Sequence, residues 1–145
     1  MRVTAPQSPA EWAAYYQLRY QVLRAPWLQP PGSEHAPDDE DPATCHAAAL
    51  AEDGTLVGVG RLHAATAAQG QVRFMAVHPA WQGQGVGQAV LTYLEAEARH
   101  RGLTECVLHA RAAAVPFYER AGYAVVAPSH TLFGSIPHFL MQKPL

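Results

Sequence analysis

Gln82-Gly83-Gln84-Gly85-Val86-Gly87 constrains this chain more than any other stretch. Its glycines alternate between a strand-like run, Val72 to Val77, and a helix-like run, Val86 to Arg101. Without Cβ atoms the backbone there can turn sharply and let a ligand come close. A helix opening at that point presents unpaired N–H groups and the positive end of its dipole. Strand, glycine-rich turn and helix start together make a pocket for a phosphorylated ligand, although glycines also precede helices where a chain simply bends.

The flanks narrow the choice of ligand. A dinucleotide fingerprint needs G-x-G-x-x-G with an acidic residue about 20 positions on. Counting from Gly83 the third glycine is replaced by Gln88, and counting from Gly85 by Val90. That disfavours a nucleotide-linked oxidoreductase. A nucleoside-triphosphate loop ends in Gly-Lys-Ser/Thr, and the sole lysine of this chain is Lys143. Both patterns fail at named positions.

Along the chain, Arg2 to Ala5 reads as a short strand. Ser8-Pro9-Ala10-Glu11 follows as a capping box with proline at the first helical position. Trp12, Tyr15, Tyr16, Val22 and Leu23 recur at helical spacing and predict a buried stripe. Pro26 and Pro30-Pro31-Gly32 stop that helix. Residues 25–44 form a long irregular segment containing Asp38-Asp39-Glu40-Asp41. Such a segment is either a solvated excursion or functional. His46 to Glu52 and Leu56 to Ala64 predict a hairpin turning at Asp53-Gly54, with Gly58 and Gly60 marking a bulge or a close approach. A third strand, Gln71 to Val77, leads into the glycines. After the long helix, Gly102 stands where a left-handed cap belongs. Glu105 to Ala110 is the next strand, and its parallel return to the preceding strand requires a right-handed crossover. A short helix from Ala112 to Ala121 and strands near Tyr123 to Ala127 and Phe139 to Lys143 complete the chain.

With 145 residues, 49% hydrophobic and 15% charged, the sequence predicts one domain, 1–145, with its own core. A formal net charge of −2 without a Lys/Arg cluster argues against a nucleic-acid surface. No signal pattern or membrane-length apolar run is present, so a cytoplasmic protein without a membrane partner is expected. Cys106 reads as a buried apolar residue. The eight histidines show no recognised ligand spacing, so no metal is expected.

Gln82-x-x-Gly-x-Gly after Ala76-Val77-His78-Pro79 closely resembles the acyl-CoA loop of the GCN5-related N-acetyltransferase (GNAT) superfamily. Phe117-Tyr118-Glu119-Arg120-Ala121-Gly122-Tyr123 resembles that family's second motif. Together they span residues 72–123. The resemblance implies an α/β (α+β) fold, a single domain with a mixed, mostly antiparallel sheet flanked by helices. It implies transfer of an acetyl or other acyl group from acetyl-CoA, as co-substrate, to a primary amine of a small molecule or peptide, and it is compatible with a homodimer. Gln82, Gly83, Gln84, Gly85, Val86 and Gly87 would bind the pyrophosphate through backbone N–H groups. Met75, Ala76 and Val77 would pair with the pantetheine arm, and Phe117 would lie beside the cofactor.

Tyr118 occupies the family's general-acid position, serving the departing thiolate; the plainer reading is that it packs on Phe117. The family often uses a carboxylate on the strand before the loop as base, but Val72 to Val77 contains none. His63, His109 and His138 are the alternatives. His138 is the foremost, because the family's last hairpin borders the acceptor pocket; Trp27 and His63 would line the same pocket. In the family the segment after the first helix walls that pocket, and the Asp38 to Asp41 run suggests a cationic acceptor unless it is merely solvated. Two positions depart from the family pattern. Gln82 replaces a more usual Arg, keeping a donor but losing a charge, and Arg111 stands where many members carry Asn. Without a strand carboxylate, a non-catalytic acyl-CoA-binding or regulatory module on the same fold is the alternative.

Overall fold

Ser8 opens helix α1 (Pro9–Leu23) by accepting the Glu11 N–H at 3.1 Å. The reciprocal half of the capping box shifts by one residue, since the Glu11 carboxylate accepts the Gln7 N–H at 2.8 Å. Tyr15, Leu18 and Arg19 are the buried positions of α1, with Trp12, Tyr16, Val22 and Leu23 packed around them. The expected aromatic stripe is therefore present, but an arginine lies within it.

The computed structural model describes residues 1–145. Its strands are β1 (Arg2–Thr4), β2 (Cys45–Leu50), β3 (Leu56–Ala64), β4 (Gln69–Val77), β5 (Glu105–Arg111), β6 (Ala124–Leu132) and β7 (Ile136–Pro144). They form one sheet in the order β1-β2-β3-β4-β5-β7-β6. Only the β4–β5 pair is parallel; every other neighbour is antiparallel. The parallel pair is joined by helix α2 (Val86–His100), and a short helix α3 (Val115–Arg120) follows β5. This is the mixed, mostly antiparallel sheet with a β-α-β unit that the sequence predicts.

The sheet buries both faces. On one, Val86, Val90, Leu91, Leu94 and Ala98 of α2 pack with Ala47, Leu62, Val72, Leu108 and Met141, together with Tyr118 of α3. On the other, Tyr15 and Leu18 of α1 pack on Ala48, Leu50, Val59 and Ala76. Cys106 is fully buried, as its strand position predicts. Glycines let α2 settle close to β3: a Cβ on Gly58 would lie 2.5 Å from Val86 Cγ1 and 3.4 Å from Val90. Both readings of Gly58 and Gly60 hold: α2 comes close to them, and register shifts of the sheet fall beside Gly58 and across Gly60. Gly102 takes φ +78° beyond the end of α2, the conformation a terminating glycine adopts. Buried Glu95 pins α2 to the far end of the sheet, accepting the Tyr123 O–H at 2.8 Å and pairing with Lys143 at 3.1 Å.

Strands β6 and β7 are longer than the sequence predicts. Pro128 would interrupt a central strand, but β6 is the last strand of the sheet, where proline is tolerated. Register shifts at Val125/Ala127 and Pro128/Thr131 absorb the irregularity. No helix of the chain is long and apolar enough to cross a membrane.

Candidate active site

Beyond Gln71, no backbone rung joins β4 to β5, although Gln69, Gly70 and Gln71 pair with Glu105, Cys106 and Val107. Strand β5 meanwhile keeps pairing with β7 as far as Arg111 opposite His138. The two parallel strands therefore part, leaving a wedge open toward the end of β4. The cause lies partly in β4 itself. Between Val59↔Ala76 and Arg61↔Arg73 of the β3–β4 ladder, β4 uses one residue more than β3. Phe74 sits within that bulge at φ +56°, a left-handed conformation rare for a bulky residue. Backbone groups along Arg73 to Val77 that face the wedge have no partner strand, so an extended ligand can pair with them as an added strand would. The sequence carries no warning of this bulge, because Arg73-Phe74-Met75 reads as ordinary strand.

The glycine loop stands at the open end of the wedge. The backbone N–H of His78 donates to Val57 O at 2.8 Å, anchoring the end of β4. His78 Nδ1 then accepts the Ala80 N–H at 3.1 Å to start a single 3-10 turn, Pro79–Trp81. Gly83 and Gly85 follow at φ +76° and +82°, so these two positions require glycine. Gly85 ends the loop as the N-cap of α2 without any side-chain cap. The first N–H groups of α2 are thus left for another acceptor, at the positive end of a helix of 15 residues. Such an alternation of ordinary and left-handed residues forms a concave nest for anions.

Gly87 is glycine for a different reason. A Cβ there would lie 3.2 Å from the Phe117 ring and 3.5 Å from Val77. Val77, Gly87 and Phe117, which the sequence places on three separate elements, meet at one spot. The Met75 and Ala76 side chains turn inward, Met75 against the α2 core and Ala76 under α1, so only their backbone is available at the wedge. Next to Phe117, the Tyr118 ring stands edge-on to both Phe117 and Tyr123, at 4.9 and 5.8 Å. Burial drives the Tyr118 hydroxyl well above its ordinary range, and the Arg111 charge only partly offsets this. It holds its proton throughout the neutral range.

Residues 12–123 match the Acetyltransferase (GNAT) family. The chain belongs to that family. YjcF of Bacillus subtilis (strain 168), an uncharacterized N-acetyltransferase, is 34% identical over 74 residues, which are 51% of this chain and 53% of YjcF. A ycf52-like uncharacterized N-acetyltransferase of Prochlorococcus marinus is 27% identical over 48% of this chain and 39% of its own length. The chain spans about half the length of the curated relatives it matches. Among solved structures, a Lactobacillus plantarum protein provisionally named an N-acetyltransferase superposes with a TM-score of 0.85 at 27% identity, covering 99% of this chain and 97% of that one. An aminoglycoside 6'-N-acetyltransferase complexed with coenzyme A shares the fold, with a TM-score of 0.84 at 18% identity and the same coverage.

Across the GNAT wedge from α2, on the α1 face, lie the residues that the sequence pattern left unassigned. Arg19 and Arg61 are completely buried and share Asp39, at 2.8 Å each, while Arg61 also holds Asp38 at 2.6 Å. Burial by itself would raise the Asp39 carboxyl, but the Ala36 N–H, Arg61 and Arg19 together pull it down to about 2. Of the acidic run, Asp39 is therefore internal to the fold, Asp38 is tied to Arg61 with its side chain 43% exposed, and Glu40 and Asp41 are exposed. His46 is bound into the same network. Its Nε2–H donates to Asp39 O at 2.8 Å, which leaves Nδ1 to accept the Tyr15 O–H at 2.8 Å. A clue to this network was present in the sequence: Arg19 interrupts the aromatic stripe and Arg61 an apolar strand.

The predicted histidines separate by their hydrogen bonds. His63 Nδ1 faces an Arg61 donor at 3.2 Å, so its lone pair is occupied. His138 Nδ1 lies 2.9 Å from Ile136 O, which can only accept. Nδ1 therefore carries the proton and Nε2 keeps a free lone pair. Burial lowers the affinity of His138 for a second proton; the Ile136 carbonyl opposes this, and His130 and Arg111 reinforce it. His130 stacks on His138 at 4.6 Å, and His109 lies 5.5 Å from His130. No group of three or more His, Cys, Asp or Glu side chains is arranged to hold a metal ion. Trp27 packs on Phe133 of the β6–β7 turn at 6.4 Å, bringing the segment after α1 against the last hairpin.

Proposed function

We propose that this chain transfers an acetyl group from acetyl-CoA to the primary amine of a small molecule or peptide. The observation that carries this reading is the parting of β4 from β5 directly beside the glycine loop. A wedge with unpaired strand backbone takes an amide-bearing arm as an added strand, and the nest at its open end takes the pyrophosphate. Coenzyme A has both parts in that order. The fold relative solved with coenzyme A supports this. In this reading Gly83 to Gly87 hold the pyrophosphate through N–H groups, with Gln82 and Gln84 beside them. Met75, Ala76 and Val77 present backbone to the pantetheine, and Phe117 closes the side of the channel.

The chemistry needs three things at the thioester: polarisation of the carbonyl, removal of an amine proton, and a proton for the leaving thiolate. Backbone N–H groups of the bulge serve the first, a contribution worth about 3 kcal/mol per donor. Tyr118 serves the last as general acid, because burial keeps its hydroxyl protonated. Asp38 and Asp39 are tied to buried arginines, so an imidazole is left to accept the amine proton, and His138 has the free Nε2. The attacking nitrogen forms the amide bond as the C–S bond breaks, its proton passing to imidazole while sulfur receives one from Tyr118.

Titration calorimetry with acetyl-CoA, followed by thiol release over a panel of primary amines, tests the assignment. Binding with amine-dependent release is the expected result. Binding without release from any amine favours a non-catalytic acyl-CoA module, and no binding overturns both.

A further inference from the structure

Four arginines surround one ring on the α1 face of the wedge. The guanidinium carbons of Arg19, Arg73, Arg61 and Arg24 lie 4.1, 4.6, 5.3 and 5.7 Å from the centroid of Phe74. Each such contact is favourable, but an aromatic face neutralises no charge. Asp39 and Asp38 answer Arg19 and Arg61. Glu34 is the one carboxylate whose field reaches Arg24, against the opposing field of Arg19. Arg24 itself donates only to the backbone carbonyls of Ser33 and Leu23.

Arg73 has less still. No hydrogen bond or ion pair supports its charge, and the residue is exposed at the opening; partial desolvation and the fields of Arg61, Arg24 and Arg19 oppose that charge, and Asp38 favours it. The Nε atoms of Arg19 and Arg61 are buried without a partner. Across the opening, the side chains whose fields act on His109 are His130, His138 and Arg73, and those acting on His138 are His130 and Arg111, with no carboxylate among them. The face where an acceptor would meet the thioester therefore holds an excess of positive charge around the bulge.

We propose that this face selects amines that also carry an anionic group, a carboxylate or a phosphate, held by Arg73 with Arg24 behind it. The inference rests on the acyltransferase reading for the place of the amine. The guanidinium fork of Arg73 fits either anion through paired N–H donors, and its contact with the Phe74 ring at 4.6 Å holds it beside the bulge. An anion there would supply the missing negative charge, whereas a polyamine would meet charge of its own sign. An anionic group on the acceptor replaces the cationic acceptor expected from the Asp38 to Asp41 run, because Asp39 is buried and Asp38, though partly exposed, is already paired with Arg61.

Matched pairs of probes test this by calorimetry, on the chain alone and saturated with coenzyme A: β-alanine against β-alaninamide, and phosphoethanolamine against ethanolamine. The anionic member of at least one pair should bind more tightly by about tenfold to a hundredfold, and the pair that shows the gap distinguishes carboxylate from phosphate. Arg73→Ala should close the gap without changing acetyl-CoA affinity. Arg99→Ala, on the exposed side of α2, should keep it. Equal binding within both pairs, preference for spermidine, or a gap that survives Arg73→Ala overturns the proposal. Acetyl-CoA binding without the gap sinks the anion site alone; the gap without acetyl-CoA binding sinks the acyltransferase reading and leaves the anion site standing.

Discussion

Burial separates the two candidate proton carriers by pushing them in opposite senses. The Tyr118 hydroxyl is held neutral because the charged form is desolvated, and the His138 imidazole is held neutral for the same reason. Tyrosine is thereby kept as a donor and histidine as an acceptor. Tyr118→Phe removes only the hydroxyl and keeps both edge-on aromatic contacts. Steady-state kinetics should show turnover reduced by about a hundredfold or more, with calorimetric acetyl-CoA affinity within a factor of about two. Unchanged turnover would leave Tyr118 as packing. His138 has its proton affinity lowered, so the acid limb of kcat/KM should fall below the ordinary histidine range, with activity rising as the imidazole deprotonates. His138→Ala should abolish that limb; a profile with the limb intact removes His138 from the mechanism.

At the scale of elements, the placement of α2 decides where the anion nest points, and glycines in β3 decide how close α2 comes. A methyl on Gly58 would meet Val86 Cγ1 at 2.5 Å. Valine is short and stiff, so the helix rather than the side chain must give way. Val86 is the first residue of α2, immediately after the loop. Gly58→Ala should therefore destabilise the fold by about 1–3 kcal/mol in denaturant titration and weaken acetyl-CoA binding as well. A variant with native midpoint and native affinity would show that α2 tolerates displacement. The β4 bulge works at the same scale. One extra residue at Phe74 turns its ring into the arginines and breaks the pairing with β5, so the shape of the cleft and its charge share one origin.

Over the whole molecule, the Asp39 network ties α1, the segment from Glu34 to Asp39, β2 and β3 into one unit. Asp39 supports two buried arginines, so Asp39→Asn leaves their charges largely uncompensated and should cost about 3–5 kcal/mol. The wild-type carboxyl is depressed from 3.8 to about 2. A depressed carboxyl contributes stability that is fully present above its unfolded value and lost as the pH falls through its folded value. Denaturation midpoints should accordingly drop by roughly 2 kcal/mol of stability between about pH 4 and pH 2 in the wild type. That component should be missing in Asp39→Asn, and parallel curves for the two proteins would refute the assignment.

The sequence by itself determined the order of strands around the glycine loop, the start of both long helices, and the left-handed cap at Gly102. These features are local: they follow from periodicity, capping and the absence of a Cβ, which act over a few residues. It also pointed to Tyr118 and Phe117 through a motif. Only the tertiary structure decided that Phe74 bulges, that β4 and β5 part, and that Asp39 turns inward while Glu40 and Asp41 do not. Each of these depends on partners many residues away in the chain. A carboxylate next to buried guanidinium groups and the same carboxylate next to water are spelled identically, and only the fold chooses between them.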